Sequence, residues 1–217
     1  MDTLDYVLKR FNPQVSRNNQ LFIHNAGRND LAVVFNELGF KAGAEIGTEA
    51  GKYAQVLCKS IPGLELYCID PWLDYDDGGG YKDSVTQEGF NKYYEEAKKR
   101  LDPFECEIIR DYSMNAVMGF TPESLDFVYI DGNHRLDYVV NDLVWWTEKV
   151  RPGGIVAGHD YIKFKGQHNS HIPYALEAYT KAYNINPYFI LDQKNNSRAV
   201  EENARMDRIR SWFFVKQ

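Results

Sequence analysis

The chain has 217 residues, of which 44% are hydrophobic and 26% are charged, and its net charge is −6. This length suits one domain with a sizeable core, and the composition is that of a globular rather than a disordered protein. The densest basic stretch contains Arg205, Arg208 and Arg210 among acidic neighbours, which favours a solvated helix face over a nucleic-acid interface. We therefore expect no nucleic-acid partner.

The cysteines and the apolar runs bear on the compartment in which the protein works. Cys58, Cys68 and Cys106 are odd in number and widely spaced, so we expect buried thiols rather than a disulfide framework or a cysteine zinc site. Residues 1–6 lack the core of a signal peptide, and no apolar run approaches the roughly twenty residues that cross a bilayer. The prediction is a cytoplasmic protein without a membrane partner.

The first 40 residues are polar and predict a helical N-terminal extension. Its helices are expected near residues 2–10 and 30–38, with Asn29-Asp30 as the cap of the second helix and Gly39 as its stop. Residues 41–217 are expected to complete a single domain with this extension.

From residue 42 onward, short apolar runs alternate with helical patterns. Several runs lack polar alternation, as parallel strands do when both sheet faces are covered. The order predicts an α/β fold with a doubly wound, mostly parallel, seven-stranded sheet, whose ligands bind beyond the carboxyl ends of the strands. Strands are predicted over residues 44–46, 64–69, 105–109, 125–130, 154–157, 188–191 and 209–215, and the clearest helices over 135–149 and 170–183.

One connection, residues 73–83, is long for a compact domain and contains three consecutive glycines. Loops of this length form lids over binding sites or are flexible insertions, and the sequence leaves both interpretations open.

A glycine-containing turn follows the first predicted strand, at residues 45–51 with the sequence EIGTEAG. Gly47 and Gly51 allow a tight turn close to a ligand. The spacing does not match the dinucleotide fingerprint or a Walker motif, and the acidic Glu45 would repel a phosphate and suit a cationic ligand. Two glycines that serve only the turn remain an alternative.

Acidic and polar residues also follow the next two strands. Asp70 ends the second strand, where a carboxylate can accept hydrogen bonds from both ribose hydroxyls, although it could instead cap a turn. Trp72 could stack on an adenine or pack beneath the long loop. Ser113 follows the third strand and is a weaker candidate for the adenine end.

Two ionisable pairs end the fourth and fifth strands, namely Asp131 with His134 and His159 with Asp160. Adjacent strands would bring them to one edge of the site. Carboxylates with an imidazole could hold Mg²⁺ or Mn²⁺, or a histidine could accept a proton from a hydroxyl. Two polar turn caps are the simpler alternative.

These segments together resemble known methyltransferases. Residues 45–51 resemble the first motif of class I S-adenosylmethionine-dependent methyltransferases. The IDGNH of residues 130–134, the RPGG of 151–154 and the GHDY of 158–161 resemble a family related to macrocin-type sugar O-methyltransferases. The similarity spans about residues 42–162. Asn133 replaces the Asp that is usual there, which removes one possible anionic ligand.

The resemblance implies S-adenosylmethionine as the cofactor and O-methylation of a small hydroxylated molecule, such as a sugar or natural product. By analogy with catechol-type enzymes, Asp131, His159 and Asp160 would bind a divalent metal, and His134 would be the base. Three alternatives remain, namely metal-free histidine catalysis, a non-catalytic nucleoside-binding protein and an NAD-dependent oxidoreductase. The protein could also assemble as a homo-oligomer. The predicted cofactor residues are Glu45, Gly47, Thr48, Gly51, Asp70, Trp72, Ser113 and Asp131, and the predicted catalytic residues are Asp131, His134 and His159.

Overall fold

A computed structural model describes residues 2–15, 20–75, 85–162, 170–192 and 209–217. Its helices are α1 (Thr3–Phe11), α2 (Arg28–Glu37), α3 (Lys52–Ser60), α4 (Gln87–Leu101), α5 (Ser113–Ala116), α6 (Leu136–Lys149) and α7 (Ile172–Ala182). Its strands are β1 (Gln14–Val15), β2 (Gln20–His24), β3 (Ala42–Ile46), β4 (Glu65–Ile69), β5 (Cys106–Ile109), β6 (Leu125–Ile130), β7 (Val150–Gly158), β8 (Tyr188–Asp192) and β9 (Ser211–Val215).

All the described strands lie in one sheet, in the order β1-β2-β8-β9-β7-β6-β3-β4-β5. The five strands from β7 to β5 are parallel to one another, and β9 runs antiparallel between β7 and β8. The α/β class and the mostly parallel sheet are therefore confirmed, and each of the seven predicted strands is present. The chain winds from β3 through β4 to β5 and then returns to β6 on the other side of β3. This reversal opens a crevice at the carboxyl ends of β3, β4 and β6.

The N-terminal segment contains more than the predicted helices. Helices α1 and α2 form close to their predicted bounds, but β1 and β2 lie between them. Strand β2 pairs in parallel with β8, with Gln20 opposite Tyr188 and His24 opposite Asp192. The described sheet therefore has nine strands rather than seven. The sequence of β2, QLFIH, holds only three consecutive apolar residues, and such a short run does not by itself distinguish a strand from a helix segment.

Helices cover both faces of the sheet, which explains the continuous apolar runs of the central strands. Phe35 of α2 and Leu57 of α3 belong to the core on one face. On the other face, Trp146 of α6 and Leu176 of α7 belong to a second core. Strand β6 contributes side chains to both cores, because successive residues of a strand point to opposite faces.

Helix α4 was not predicted, because its sequence is mostly polar. Of its 15 residues only Ala97 and Leu101 are buried, so the apolar stripe is too narrow to stand out. The helix begins after Thr86, whose hydroxyl accepts a hydrogen bond from the amide of Gly89 at 3.3 Å. Residues 73–75 of the long predicted loop precede this helix, and residues 76–84 lie outside the described part of the chain.

The cysteines are free thiols. Cys58 and Cys68 are buried, whereas Cys106 is only half-buried, and the sulfur atoms of Cys58 and Cys106 lie 3.3 Å apart. Within the described residues, no helix combines the length and the apolar character that a membrane span requires.

Candidate functional site

A cavity of about 890 Å³ opens at the carboxyl ends of β3, β4 and β6. Ligands of doubly wound sheets bind at this position, and the cavity volume is in the range of small-molecule sites. The cavity brings together most of the residues predicted from sequence. Those that line it are Glu45, Gly47, Thr48, Asp70, Ser113, Asp131 and His134, whereas Gly51, Trp72, His159 and Asp160 do not.

The turn after β3 approaches the end of β6 so closely that only glycine fits at its first position. The amide of Gly47 donates to the carbonyl of Ile69 at 2.8 Å, and its φ is +89°. A Cβ on Gly47 would lie 2.2 Å from the carbonyl oxygen of Asp131. Gly51 has a different role, since it begins α3 with φ +71° and packs against Ala97 and Leu101 of α4. The two glycines therefore position the loop for separate reasons.

Glu45 is buried at the end of β3. Burial raises the pKa of its carboxyl group well above the ordinary value, and the negative charges of Asp131 and Asp70 raise it further. Its Oε2 atom has no hydrogen-bond partner in the part of the chain that the structure describes. A cationic ligand group placed in the cavity would supply both the missing hydrogen bond and the missing charge.

Asp70 organises the turn and also faces the cavity. One carboxylate oxygen accepts from the amide of Glu49 at 2.9 Å, and the other accepts from the amide of Trp72 at 2.7 Å. The turn-capping alternative is thus observed. A carboxylate has about four lone-pair sites, so capping the turn does not by itself prevent Asp70 from binding a ligand hydroxyl.

Trp72 packs in the protein interior instead of lining the cavity. Its ring is fully buried, its indole nitrogen donates to the carbonyl of Glu49 at 2.7 Å, and it lies edge-on to Tyr94 at 5.0 Å between ring centroids. The side chain is thus packed against Glu49 and Tyr94, and residues 76–84 of the long loop lie outside the described part of the chain.

A buried acid that sequence reasoning missed lies beyond Ser113. The indole nitrogen of Trp146 donates to the Ser113 hydroxyl at 2.7 Å, and that hydroxyl donates to Asp142, which also lines the cavity. Burial raises the pKa of Asp142 to about 7, and the hydrogen bond from Ser113 offsets only part of this effect. Asp142 lies on the apolar stripe of α6 with Val139 and Trp146. An acid on such a stripe is the signal that could have identified it.

Asp131, His134 and Asp160 form the cluster best suited to a cation in the described chain, because one ligand atom of each lies within 4.8 Å of the others. The His134 Nε2 atom is 3.7 Å from Asp131 Oδ1 and 3.4 Å from Asp160 Oδ2. Two carboxylates and one imidazole form a donor set that suits Mn²⁺ and, through the oxygens, Mg²⁺. The residues present therefore fit a divalent metal, with His134 in the place predicted for His159.

His159 is fully buried and contacts the carboxylates of Asp131 and Asp160. Its Nδ1 atom lies 3.0 Å from Asp160 Oδ2 and 3.6 Å from Asp131 Oδ2. Burial favours the neutral ring, but the two carboxylates outweigh burial and raise the pKa of His159. The ring therefore orients the two carboxylates of the cluster without lining the cavity.

The other histidines have structural partners. His171 Nδ1 accepts from the amide of Leu136 at the start of α6, at 3.0 Å, and His24 Nδ1 lies 3.5 Å from Asp192 Oδ2. His168 lies outside the described residues.

Arg28, in the N-terminal segment, is a second cavity residue that sequence reasoning missed. Its guanidinium lies over the ring of Tyr53, 4.6 Å from the centroid, and its Nη1 atom is 3.6 Å from Asp131 Oδ2. No motif marks it, because a buried arginine and an exposed one are alike in sequence. Only the return of α2 toward β3 brings it to the site.

Comparison with known proteins identifies the family and the fold. Residues 44–161, just over half of the chain, match the family described as methyltransferase domain. No match to this chain was found among curated proteins. Among solved structures, the fold is similar to an O-methyltransferase from Bacillus cereus in complex with S-adenosylhomocysteine, at 14% identity over 99% of this chain and 90% of that chain, with a TM-score of 0.62.

Two further structures show how widely the fold is shared. The O-methyltransferase TomG from Streptomyces achromogenes, involved in tomaymycin synthesis and crystallised with S-adenosylmethionine, is 13% identical over 100% of this chain and 91% of that chain, with a TM-score of 0.59. An rRNA methylase from Streptococcus thermophilus is 12% identical over 87% of this chain and 93% of that chain, with a TM-score of 0.54. At these identities the likeness concerns the fold alone. On the family match and this shared fold, the chain belongs to the methyltransferase-domain family and has the class I methyltransferase fold.

Proposed function

We propose that this protein transfers a methyl group from S-adenosylmethionine to a hydroxyl group of a small molecule. One observation carries the proposal. Glu45, Asp70 and Asp131, at the carboxyl ends of three strands that neighbour one another in the sheet, line one cavity beside His134. The chemistry of the donor matches this arrangement, because it has an ammonium, a sulfonium and two ribose hydroxyls for acidic groups to bind.

The donor would lie along the line of these acids. Glu45 would accept a hydrogen bond from the donor ammonium through its partnerless Oε2, and Asp70 would accept from the ribose hydroxyls. Ser113 and Asp142 would lie at the adenine end. This order leaves Asp131 and His134 nearest the reacting methyl group.

A small acceptor suits the charge of the site better than a nucleic acid does. Phosphate groups would be repelled by the acidic lining, and the chain carries a net charge of −6. Tyr75, Tyr112 and Tyr138 offer apolar surface on which a flat or sugar-like molecule could pack. The acidic side chains of the lining are Glu45, Glu49, Asp70, Asp74, Asp131, Asp137 and Asp142, with Arg28 and Lys52 as the lysine or arginine residues.

In the reaction, an acceptor oxygen attacks the methyl carbon, a C–O bond forms, and the electron pair of the broken C–S bond neutralises the sulfonium. Asp131, His134 and Asp160 would hold a divalent cation, and such an ion would supply Lewis acidity that makes it easier for water to take the proton of the acceptor hydroxyl near neutral pH. The residues of the chain mainly align the two reactants, since positioning contributes much of the rate of a two-substrate reaction.

A metal-free reaction is the second candidate, and the position of His134 favours it. His134 lines the cavity, and its Nε2 atom is close to two carboxylates. These carboxylates would stabilise the cation that forms when the ring accepts the proton of the hydroxyl. The roles of His134 as ligand and as base exclude each other, so metal dependence distinguishes them.

Calorimetric titration with S-adenosylhomocysteine and with NAD tests the proposal. We expect the first to bind and the second not, and Asp70→Asn to weaken binding by about tenfold, the value of one charged hydrogen bond. Asp102→Asn, a surface substitution after α4, is the matched control. Transfer of a labelled methyl group to a panel of hydroxylated compounds, before and after EDTA and with Mn²⁺ restored, then tests catalysis. Binding of NAD alone would favour an oxidoreductase, and donor binding without any transfer would favour a non-catalytic protein.

A further inference from the structure

Arg28 is the first residue of α2 and is 5% exposed, although arginine side chains are rarely buried without a partner. Its side chain lines the cavity with Glu45 and Asp131. The backbone of Arg28 is held in place by Tyr53, whose hydroxyl donates to the Arg28 carbonyl at 2.7 Å. A cation is therefore placed inside a cavity whose other charged lining residues are acidic, apart from Lys52.

The contacts of Arg28 within the described chain leave its donors only partly used. The ion pair with Asp131 is 3.6 Å long, which is beyond a normal hydrogen bond, and the Nε atom has no hydrogen-bond partner among the described residues. A buried donor without a partner destabilises the folded protein. An arginine placed there only to neutralise Asp131 would be expected to make close, paired hydrogen bonds to it. The open Nε instead indicates a missing acceptor.

A carboxylate of a ligand is the group that fits this position. Planar guanidinium groups bind carboxylates through paired hydrogen bonds, and the N-terminus of a ten-residue helix adds a favourable field for an anion. Glu45 and Asp131 beside it suit an ammonium. The pocket thus pairs a site for an anion with a site for a cation, as an amino acid group requires.

On the basis of the proposed function, we infer that Arg28 binds the α-carboxylate of the methionine moiety of the donor, while Glu45 receives the neighbouring ammonium. Arg28 is then a residue that determines donor specificity and comes from the N-terminal segment, outside the residues that match the family.

A pair of ligands and a pair of variants test this inference. The ligands are S-adenosylhomocysteine and its decarboxylated analogue, in which hydrogen replaces the carboxylate. The variants are Arg28→Met, which keeps the length of the stem without the charge, and Arg28→Lys, which keeps the charge without the planar fork. The measurement is the ratio of the two dissociation constants for each protein, because a merely structural role of Arg28 would weaken both ligands equally.

We expect the unmodified protein to bind S-adenosylhomocysteine at least tenfold more tightly than the decarboxylated analogue. Arg28→Met should bring this ratio close to one, and Arg28→Lys should leave an intermediate ratio. A ratio near one in the unmodified protein, or a ratio that Arg28→Met leaves unchanged, would overturn the inference while the proposed function stands. If neither ligand binds the unmodified protein, the proposed function itself fails. If Arg28→Met does not fold, the ratios of dissociation constants for the unmodified protein and for Arg28→Lys still test the inference.

Discussion

The two ends of the cavity differ in the groups that surround their buried acidic side chains. At the charged end, Asp131 and Asp160 face Arg28, His134 and His159, so negative groups have positive or protonatable neighbours. At the far end, Asp142 has a serine hydroxyl as its hydrogen-bond partner, and burial raises its pKa to about 7. A buried acid with a positively charged neighbour can remain ionised, whereas burial without such a neighbour favours the neutral, protonated form. The same residue type therefore does different work at the two ends.

Asp131→Asn should give the largest effect, because it removes a charge on which the whole charged end depends. We expect methyl transfer to fall by about a thousandfold, the scale of losing a group that acts on the reacting atoms. Affinity for S-adenosylhomocysteine should fall much less. The measurements are steady-state rates and calorimetry, with Asp102→Asn as the control. A rate within tenfold of the unmodified protein would remove Asp131 from the catalytic group.

Gly47→Ala should have the next largest effect, because it forces apart the two loops that form the charged end. The added Cβ would lie 2.2 Å from a backbone oxygen, whereas a Cβ on Gly63, which also has positive φ, meets nothing within 4 Å. Gly63→Ala thus isolates the strain of positive φ. We expect the free energy of unfolding to fall by about 3 kcal/mol for Gly47→Ala and by about 1 kcal/mol for Gly63→Ala. Equal losses in denaturant titrations would show that the close approach has no cost.

The last prediction concerns the far end, where the expected effect builds up gradually with pH. The pKa of Asp142 is about 7 in the folded protein and 3.8 as the ordinary value, so the folded state binds the proton more tightly. Protonation therefore stabilises the fold, and this stabilisation is lost as pH rises toward about 7. Asp142→Asn removes the titration. Its free energy of unfolding, relative to that of the unmodified protein, should rise by about 1 kcal/mol per pH unit between pH 4 and pH 7.

Above pH 7 the difference between the two proteins should level off. Denaturant titrations of both proteins across this range provide the measurement. A difference that stays constant with pH would mean that Asp142 is not desolvated in the folded state.

The sheet and the acids at the ends of its strands could be predicted from the sequence better than the rest of the molecule, for a physical reason. Parallel strands read as apolar runs and their polar residues cluster at the carboxyl ends, so Glu45, Asp70 and Asp131 could be placed without coordinates. Arg28 could not be placed, because its role depends on a helix from another part of the chain returning to the site. The exchange of His134 for His159 in the cluster also depends on side-chain direction, which sequence spacing does not provide.

The pairing of strand β2 bears on which parts of the chain the folded sheet needs. It pairs along the whole of β8, and β8 would otherwise present its backbone donors and acceptors to solvent. Removing the first 40 residues would strip this protection and create an open edge prone to pairing with other molecules. It would also remove α2 from the core and Arg28 from the cavity. Residues 44–161, which match the family, therefore belong to a sheet and a cavity that residues outside the match help to build.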